Sequence, residues 1–484
     1  MTNLDRRVLL GIAGIAGAAI ATQATRAGSL NPPPGPVTPT GKTTAQIEPR
    51  IDLLNAPASA NVTSDANNQY IINNPGSYYL SANLTLTKSI GINIVAANVS
   101  LDLCGFQVAG TGTNTFTGIA VTGNGAWIGN GSLSTLAYGV RDYTNLATGC
   151  TLSRLRATQC STIGLAPPSS SIMESCVAEN NAGDGIASAA YSVLNDCTAC
   201  SNTGAGFVTA MGSTLARCTG SKNGNGGFKV SSDCTLTDCI ALANGVSALP
   251  AYAGILVGSE CVLTRCVSSQ NHATYGFSIN YTCILVDCVA ANNFGSAADT
   301  FGGGMNVAGS CLISGCTVVA NQSPVSASTA GAGIYCNAPG TRIENCAIND
   351  NAGSGIIISS GECVVKACEV NGNHFDGVLV QGNSNTLTEN RCVTNLANGI
   401  HVKSGSHTVV ERNHLLDNTV SGVQIDSTVC FVYGNLARSN PTNYSVVAGN
   451  RVGQIVVIAT NASPISGNSG GSVVTTDPYC NIAF

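Results

Sequence analysis

One column of asparagine residues constrains the fold of this chain more than any other feature of its sequence. A side-chain amide both donates and accepts hydrogen bonds, so identical residues stacked one strand spacing apart can bond to each other. Twelve successive units, most of them 21 to 23 residues long, place asparagine at positions 181, 202, 223, 244, 271, 293, 321, 351, 373, 395, 418 and 440. The column predicts a solenoid in which each unit is one coil.

A second column stands five residues before each asparagine. Alternating inward and outward positions, broken by Asn and Gly, imply three short strands in each unit. The return segments contain Gly, Asn and Ser, and they lack the leucine framework and helical segment of a leucine-rich repeat. The second column holds cysteine in nine units and asparagine in three, at Cys176, Cys197, Cys218, Cys239, Cys266, Cys288, Cys316, Cys346, Cys368, Asn390, Asn413 and Asn435.

The fold class that follows is an all-β, right-handed parallel β-helix solenoid of about fifteen coils of 21 to 23 residues. Its right-handedness rests on the general rule for parallel crossover connections. A solenoid needs caps because an open end coil presents unpaired backbone groups. The predicted boundaries are an export signal at 1–27, a proline-rich linker at 28–50, an N-terminal cap at 51–85, the β-helix at 86–442, and C-terminal coils with a cap at 443–484.

The first residues indicate export. Paired arginines, Arg6 and Arg7, precede an apolar run rich in Gly and Ala that ends near Ala21, with Ala24 and Ala27 as cleavage positions. The arginines resemble a twin-arginine signal. A general secretory signal is the next alternative, and a membrane anchor is the third, because the run is short and Gly-rich for a span. We therefore expect a periplasmic, cell-surface or extracellular protein with no membrane span after signal removal. Only 9% of residues are charged and the formal net charge is -5, a balance that argues against a nucleic-acid partner.

Twenty-two cysteines leave three interpretations open. Two cysteines of one coil, such as Cys261 and Cys266, sit on either side of a bend, too far apart for a disulfide. The favoured interpretation is reduced, buried thiols that act as small apolar groups. Several disulfides between neighbouring coils, or a structural zinc site, are the alternatives. A column without converging His or Cys groups does not favour zinc, so no metal-ligating set is predicted.

A column of alternating charge stands immediately before the cysteine column. Stacking would bring each acid within about one strand spacing of a base. One interpretation is a surface ladder that fixes coil register. The functional alternative is a face that binds a uronate-rich chain, with Asp238, Arg265 and Asp287 catalytic, Arg as the base, carboxylates holding Ca²⁺, and Asp196 and Arg217 binding substrate.

A second candidate cluster lies on later coils, which hold four of the five histidines. His401 and Lys403 should point outward from the strand that follows Gly399. Turn preference is the alternative explanation, because an acid before glycine is common in these turns. The residues predicted to bind substrate here are His374, Asp376, His401, Lys403 and Arg412.

The repeat resembles that of the pectate-lyase-like right-handed β-helix superfamily, over residues 60–460. The segments Ile-Asn-Asn-Pro-Gly-Ser-Tyr-Tyr-Leu (72–80) and Leu-Asp-Leu-Cys-Gly-Phe (101–106) resemble the start of secreted bacterial β-helix proteins. The resemblance implies the fold and a polysaccharide partner. It does not imply one activity, because the superfamily includes lyases, hydrolases, epimerases and adhesins.

The catalytic motifs of that superfamily are missing from this sequence. Arg342-Ile343-Glu344 is the nearest trace of the polygalacturonase set, and Trp127-Ile128-Gly129 lacks the Asp-His that follows Trp-Ile in pectate lyases. Two hypotheses therefore stand. The protein binds or processes polysaccharide as a lyase or hydrolase, or it is a non-catalytic cell-surface or matrix protein with a structural or adhesive role.

Overall fold

The computed structural model describes residues 50–56, 61–112, 115–245, 251–295, 302–324, 327–457 and 477–483. The predicted export signal lies outside the described residues, as does the linker up to residue 49. The described chain is an all-β solenoid whose coils each contribute a first, a second and a third strand. Within these residues no helix is long and apolar enough to cross a membrane.

The first and second strands of the coils form one continuous sheet. The first strands are Ile51–Asp52, Gly76–Tyr79, Val99–Asp102, Ile172–Glu174, Val193–Asn195, Thr214–Ala216, Thr235–Thr237, Val262–Thr264, Ile284–Val286, Leu312–Ser314, Arg342–Glu344, Val364–Lys366, Thr386–Thr388, Val409–Glu411, Phe431–Tyr433 and Arg451–Val452. The second strands are Leu84–Thr85, Gln107–Ala109, Val177–Glu179, Thr198–Cys200, Thr219–Ser221, Ile240–Leu242, Val267–Ser269, Val289–Ala291, Thr317–Val319, Ala347–Asn349, Glu369–Asn371, Arg391–Val393, His414–Leu416, Leu436–Arg438, Asn481–Ala483 and Ile455–Val457. In two coils a single strand covers both positions, at Trp127–Ser134 and Thr151–Thr158.

The third strands form a separate sheet, called the third sheet below, and seventeen of them stack in parallel. A short strand, Val62–Thr63, pairs antiparallel with the first of them. The seventeen are Asn68–Ile72, Ile90–Ile94, Thr117–Val121, Tyr138–Asp142, Ile163–Ala166, Asp184–Ser188, Phe207–Thr209, Phe228–Val230, Ala251–Val257, Ala273–Ile279, Gly303–Val307, Ala332–Cys336, Ile356–Ile358, Val378–Val380, Ile400–Val402, Ser421–Ile425 and Thr442–Val446.

Parallel stacking in register confirms the predicted β-helix, with about seventeen turns where the sequence indicated about fifteen. The two additional coils come from the ends. The segment predicted as an N-terminal cap, 51–85, contains strands that already pair with the following coil, as Ile51 does with Tyr78. At the other end, Leu436 pairs with Ile482 of the last strand.

Left-handed residues make the two tight bends of every coil from the one with strand Trp127–Ser134 to the one with strand Leu436–Arg438. In the coil that contains Arg217 this residue (φ 53°) separates the first and second strands, and Lys222 (φ 55°) ends the second. A single residue in this conformation turns the chain without a loop. The bends therefore put the residues that follow them, Cys218 and Asn223, inside the solenoid, where both are 0% exposed.

The asparagine column is a continuous internal ladder from Asn181 to Asn440. The Asn223 backbone N–H and side-chain amide both donate to Oδ1 of Asn244, at 2.9 and 3.1 Å, and the amide also donates to the Ala199 carbonyl at 3.0 Å. The same contacts recur in each coil up to the Asn418 amide, which donates to Asn440 Oδ1 at 3.0 Å. The ladder satisfies polar groups that burial would otherwise leave unpaired.

All twenty-two cysteines are free thiols in the structure. Cys218 of the main cysteine column donates weakly to the carbonyl of Leu194 at 3.5 Å. A second thiol column accepts from backbone, as Cys283 Sγ does from the Cys261 N–H at 3.4 Å. The main column changes from thiol to amide where the Cys368 N–H donates to Asn390 Oδ1 at 3.0 Å.

Within a coil, a large inward side chain on one strand is matched by a smaller one on another strand. In one coil, Phe228 is the large inward residue of the third strand and Gly220 is the small inward residue of the second strand. The ring of Phe228 stacks on that of Phe207 in the preceding coil, with centroids 4.8 Å apart. Later coils use Ile356 on the third strand and Ile348 on the second, both fully buried. Dense packing requires this exchange of large for small side chains.

Candidate functional site

The predicted charge column occupies the left-handed bends between first and second strands. Asp196, Arg217, Asp238, Arg265 and Asp287 all have φ between 51° and 54°. Arg217 binds Asp196 through Nε and Nη2 at 2.7 and 2.8 Å, and Arg265 binds Asp238 through the same atoms at 2.7 and 2.9 Å. The column therefore consists of fork-shaped pairs between neighbouring coils.

These pairs are exposed, and each stabilises the charged form of both partners. Hydrogen bonds to the arginines lower the pKa of Asp196 and of Asp238, while the carboxylates raise the pKa of Arg217 and of Arg265. Among the described residues none forms an ion pair with Asp287, whose carboxylate instead leans over Gly315 of the next coil. The geometry is compatible with the interpretation of a surface ladder that fixes coil register.

The other bend position predicted to bind substrate is Arg412. It has φ 52°, and its aliphatic stem lies against Gly434 in the next coil. His374 is exposed in the turn after Asn373, where its N–H donates to the Asn351 carbonyl at 3.0 Å. The structure does not bring Arg412 or His374 together with the bend pairs.

The outer face of the third sheet is a separate surface. Outward positions stack in one column whose register runs from Arg141 through Ala166, Ala187 and Val208 to Lys229. Four strand spacings of about 4.8 Å separate the two cations, so they stand roughly 19 Å apart. Small side chains between them leave room above the sheet.

That room is a trough of about 600 Å³, floored by Ala166, Ala187 and Val208. Its end wall comes from Tyr138, Arg141 and the loop that follows Asp142. This loop is long because eight residues separate strands ending at 142 and starting at 151, whereas four separate strands ending at 188 and starting at 193. The end wall therefore projects from the surface, whereas the corresponding turn at residues 189–192 is short.

Arg141 lies over two tyrosine rings, 4.4 Å from the centroid of Tyr138 and 5.4 Å from that of Tyr143. Both distances are within the range of cation–π attraction. In the described part of the chain no carboxylate forms an ion pair with Arg141 or with Lys229. Asp142 is the acid of the trough lining, and its Oδ1 accepts the N–H of Thr144 and of Asn145 at 3.2 and 2.9 Å.

The predicted residues Asp376 and His401 do come together, further along the same sheet. Nδ1 of His401 lies 3.2 Å from Oδ2 of Asp376, and Nε2 lies 2.9 Å from Oδ2 of Asp426. Asp376 is almost buried, and its Oδ1 accepts the N–H and the amide of Asn398 at 3.1 and 2.8 Å. Three successive coils thus hold one imidazole between two carboxylates, a group called the His401 cluster below.

The two carboxylates change the pKa of His401 more than burial of the ring does. Burial alone would lower the pKa of His401, but hydrogen bonds from the ring to the carboxylates of Asp376 and Asp426 raise it above its ordinary value. Burial would raise the pKa of Asp426, yet hydrogen bonds from His401 and Gln424, with the nearby charge of Lys403, lower it overall. In the His401 cluster the two carboxylates therefore favour the protonated form of the imidazole.

The pH dependence of stability follows from these shifts. Because the folded pKa of His401 is raised, its contribution is complete below the ordinary value of 6.5 and is lost as pH rises through the raised value. We expect Asp376→Asn to lower the pKa of His401, measured by NMR titration. Thermal melts of this variant should show a smaller fall in stability than the wild type as pH rises above 6.5. Asp238→Asn, in a distant coil, is the matched control. An unchanged His401 titration in Asp376→Asn would contradict the cluster.

Asp426, Arg141 and the trough were not predicted from the sequence. The register of Gly399-Ile400 with Gly422-Val423 places Gln424 beside His401, so Asp426 could have been found by aligning these two coils. Arg141 lies upstream of the regular asparagine column and offered no such alignment. Between the trough and the His401 cluster, the outward column carries Ile357 and Leu379, which are buried, so the two sites are separate.

In the described ranges no group of three or more His, Cys, Asp or Glu side chains is arranged to hold a metal ion. Calcium binding by the bend carboxylates stays a prediction. The carboxylates of Asp196 and Asp238 are each occupied by an arginine fork.

Comparison with known proteins places residues 332–478 in a match to the family model described as right handed beta helix region. No curated protein matches the chain. Among solved structures, the periplasmic alginate epimerase AlgG is 11% identical with a TM-score of 0.36, over 83% of this chain and 81% of that chain. A GH87 alpha-1,3-glucanase catalytic domain in complex with nigerose is 14% identical with a TM-score of 0.36, over 66% and 64%. The Azotobacter vinelandii mannuronan C-5 epimerase AlgE6 A-module is 14% identical with a TM-score of 0.30, over 78% and 91%.

Proposed function

We propose that this chain, whose fold is a right-handed parallel β-helix, is an exported protein that binds an acidic polysaccharide in the trough on its third sheet. The observation that carries the proposal is Arg141, a guanidinium held over two tyrosine rings at the end of a trough of about 600 Å³. Export rests on the signal predicted at residues 1–27.

The chemistry of the trough supports an extended, carboxylate-bearing ligand. A guanidinium matches the planar geometry of a carboxylate and donates two parallel hydrogen bonds. Tyr143 is 52% exposed, and its ring offers an apolar face to a sugar. Lys229 provides a second cation roughly 19 Å along the axis, which suits a chain rather than a single sugar.

The binding experiment compares an oligogalacturonate with a neutral oligosaccharide of equal length. We expect the wild-type protein to prefer the acidic chain, with an affinity that falls as salt is added. Arg141→Gln should weaken binding about tenfold or more, because a hydrogen bond between charged groups contributes about 1.5 to 3 kcal/mol. Titration calorimetry measures both effects.

The matched control is Arg391→Gln, which removes an exposed cation from a second strand outside the trough. It should leave the affinity unchanged. Equal binding of the acidic and neutral chains, or an Arg141→Gln variant that binds like the wild type, would contradict the proposal.

Processing of the bound chain is proposed for the His401 cluster. Asp376 fixes the ring through Nδ1, and the partly exposed Asp426 covers Nε2. A substrate oxygen that displaces Asp426 would face Nε2 of His401, which in the protonated ring can donate a proton. Shortened or unsaturated products that disappear in His401→Gln would support this role, and persistence of the products in that variant would exclude it.

The catalytic assignment of Asp238, Arg265 and Asp287 stays a prediction. The guanidinium of Arg265 is held in a fork with the Asp238 carboxylate, a geometry that favours the alternative of a structural protein with a register ladder. Assaying Arg265→Ala beside His401→Gln separates the two sites. If only Arg265→Ala loses the product, the catalytic site lies at the bends and not at the His401 cluster.

A further inference from the structure

A pocket of about 460 Å³ lies on the outer face of the first strands, at the C-terminal end of the solenoid. Its walls include Phe431, Tyr433, Arg451 and Tyr479. Phe431 is 45% exposed and Tyr479 is 56% exposed, although aromatic residues make up only 5% of the chain. Three aromatic side chains thus line one pocket here, on a different face from the trough. We call this site the aromatic pocket.

Strand alternation and register build the aromatic pocket. Val432 points inward and is fully buried, so Phe431 and Tyr433 on either side of it point outward. Arg451 is the register partner of Phe431 in the next coil. Such neighbours stand about one strand spacing apart, so the guanidinium and the Phe431 ring belong to one surface.

Tyr479 is positioned by its own backbone. Its carbonyl accepts the N–H of Gly434 at 3.1 Å, and its N–H donates to Oδ1 of Asp477 at 2.9 Å. The rings of Tyr433 and Tyr479 meet edge to face, with centroids 5.6 Å apart at 88°. The two rings thus pack against each other in the wall of the pocket.

Polar groups stand at defined positions around the apolar walls. Interaction with the Glu411 carboxylate raises the pKa of Tyr433. In the described residues no carboxylate forms an ion pair with Arg451. Aromatic faces with a few placed polar groups, in a volume of several hundred Å³, are typical of small-molecule sites. A pyranose ring matches this lining because its faces carry C–H groups and its rim carries hydroxyl or carboxylate oxygens.

We propose that the aromatic pocket is a second saccharide site, which holds one sugar ring of the acidic polysaccharide against Phe431 and Tyr479 while Arg451 donates to its oxygens. The inference rests on the proposed function for the identity of the polymer. It places a second attachment point on another face of the solenoid, near its C-terminal end. Two separate contacts with one polymer raise the apparent affinity for long chains over that for short ones.

The test uses the full chain with a short and a long oligogalacturonate. We expect Tyr479→Ala to weaken binding of the short chain at the aromatic pocket about fivefold or more, measured by the saturation transferred from protein protons to the sugar C–H groups. Arg451→Gln should weaken the same signal. Ile284→Ala, which truncates another exposed side chain on a first strand, is the matched control and should change nothing.

The outcomes separate the two sites. If Tyr479→Ala loses sugar binding and Arg141→Gln does not, the result supports the aromatic pocket and refutes the trough. If only Arg141→Gln loses sugar binding, the aromatic pocket is refuted. If both variants bind the sugar like the wild type, both sites are refuted. A change of oligomeric state in Tyr479→Ala, measured by sedimentation, with sugar binding unchanged would assign the pocket to a second copy of the chain and overturn the proposal.

Discussion

Asn223→Leu is expected to lower the free energy of unfolding by about 3 kcal/mol or more. Oδ1 of Asn223 accepts the N–H and the amide of Asn202 at 3.1 and 2.9 Å. Leucine removes this acceptor, so the backbone N–H of Asn202 and one hydrogen of its amide lose their partner inside the solenoid, where Asn202 is 2% exposed. The other amide hydrogen still donates to the Ala178 carbonyl at 3.1 Å. Each buried group left without a partner costs about 1 to 3 kcal/mol. Urea unfolding followed by circular dichroism measures the change.

The control is Asn195→Leu in the preceding coil. Asn195 is the outward, half-buried end of a first strand, so its replacement should change the free energy of unfolding by about 0.5 kcal/mol or less. A similar loss in both variants would mean that the internal ladder does not hold the coils together. A loss confined to Asn223→Leu would show that the ladder does.

Nineteen of the twenty-two cysteines are expected to resist thiol reagents in the native protein. The other three, Cys104, Cys200 and Cys480, are exposed or partly exposed and should react. Burial raises the pKa of Cys150 and of Cys160 to about 12, which removes the thiolate that a reagent attacks. Counting modified cysteines by mass spectrometry checks the number.

Denaturation without reductant should then expose all twenty-two thiols. Cys104→Ser, which removes the exposed thiol, should lower the native count by one and leave the buried set unchanged. A rise in the thiol count when reductant is added to the denatured protein would show disulfides between coils. That result would contradict the reduced core.

The solenoid was predictable because its cause repeats. Asn181 and its successors recur in most units at a spacing of 21 to 23 residues. The internal amide ladder stacks these residues in one column, coil upon coil. The number of coils was less accurate because the end coils lack that signature. Strands such as Ile51–Asp52 pair with the next coil without an asparagine in the ladder position.

The sites were harder to predict because they depart from the repeat. Strand alternation placed His401 outward, and the turn before Gly377 placed Asp376, but neither indicated that they touch. Contact between coils depends on turn geometry that the spacing does not contain. Arg141 depends on the long loop after Asp142, and the aromatic pocket depends on Tyr479, which comes from the chain's last turn.

Hydrogen exchange with and without oligogalacturonate tests the central claim, polysaccharide binding in the trough, most directly. If the trough binds the polymer, amides of the loop at residues 143–149 and of the strand Ile163–Ala166 exchange more slowly in its presence. The bends at Asp196 and Arg217 should exchange at the same rate with and without it. Protection at those bends with none at the loop would contradict the account.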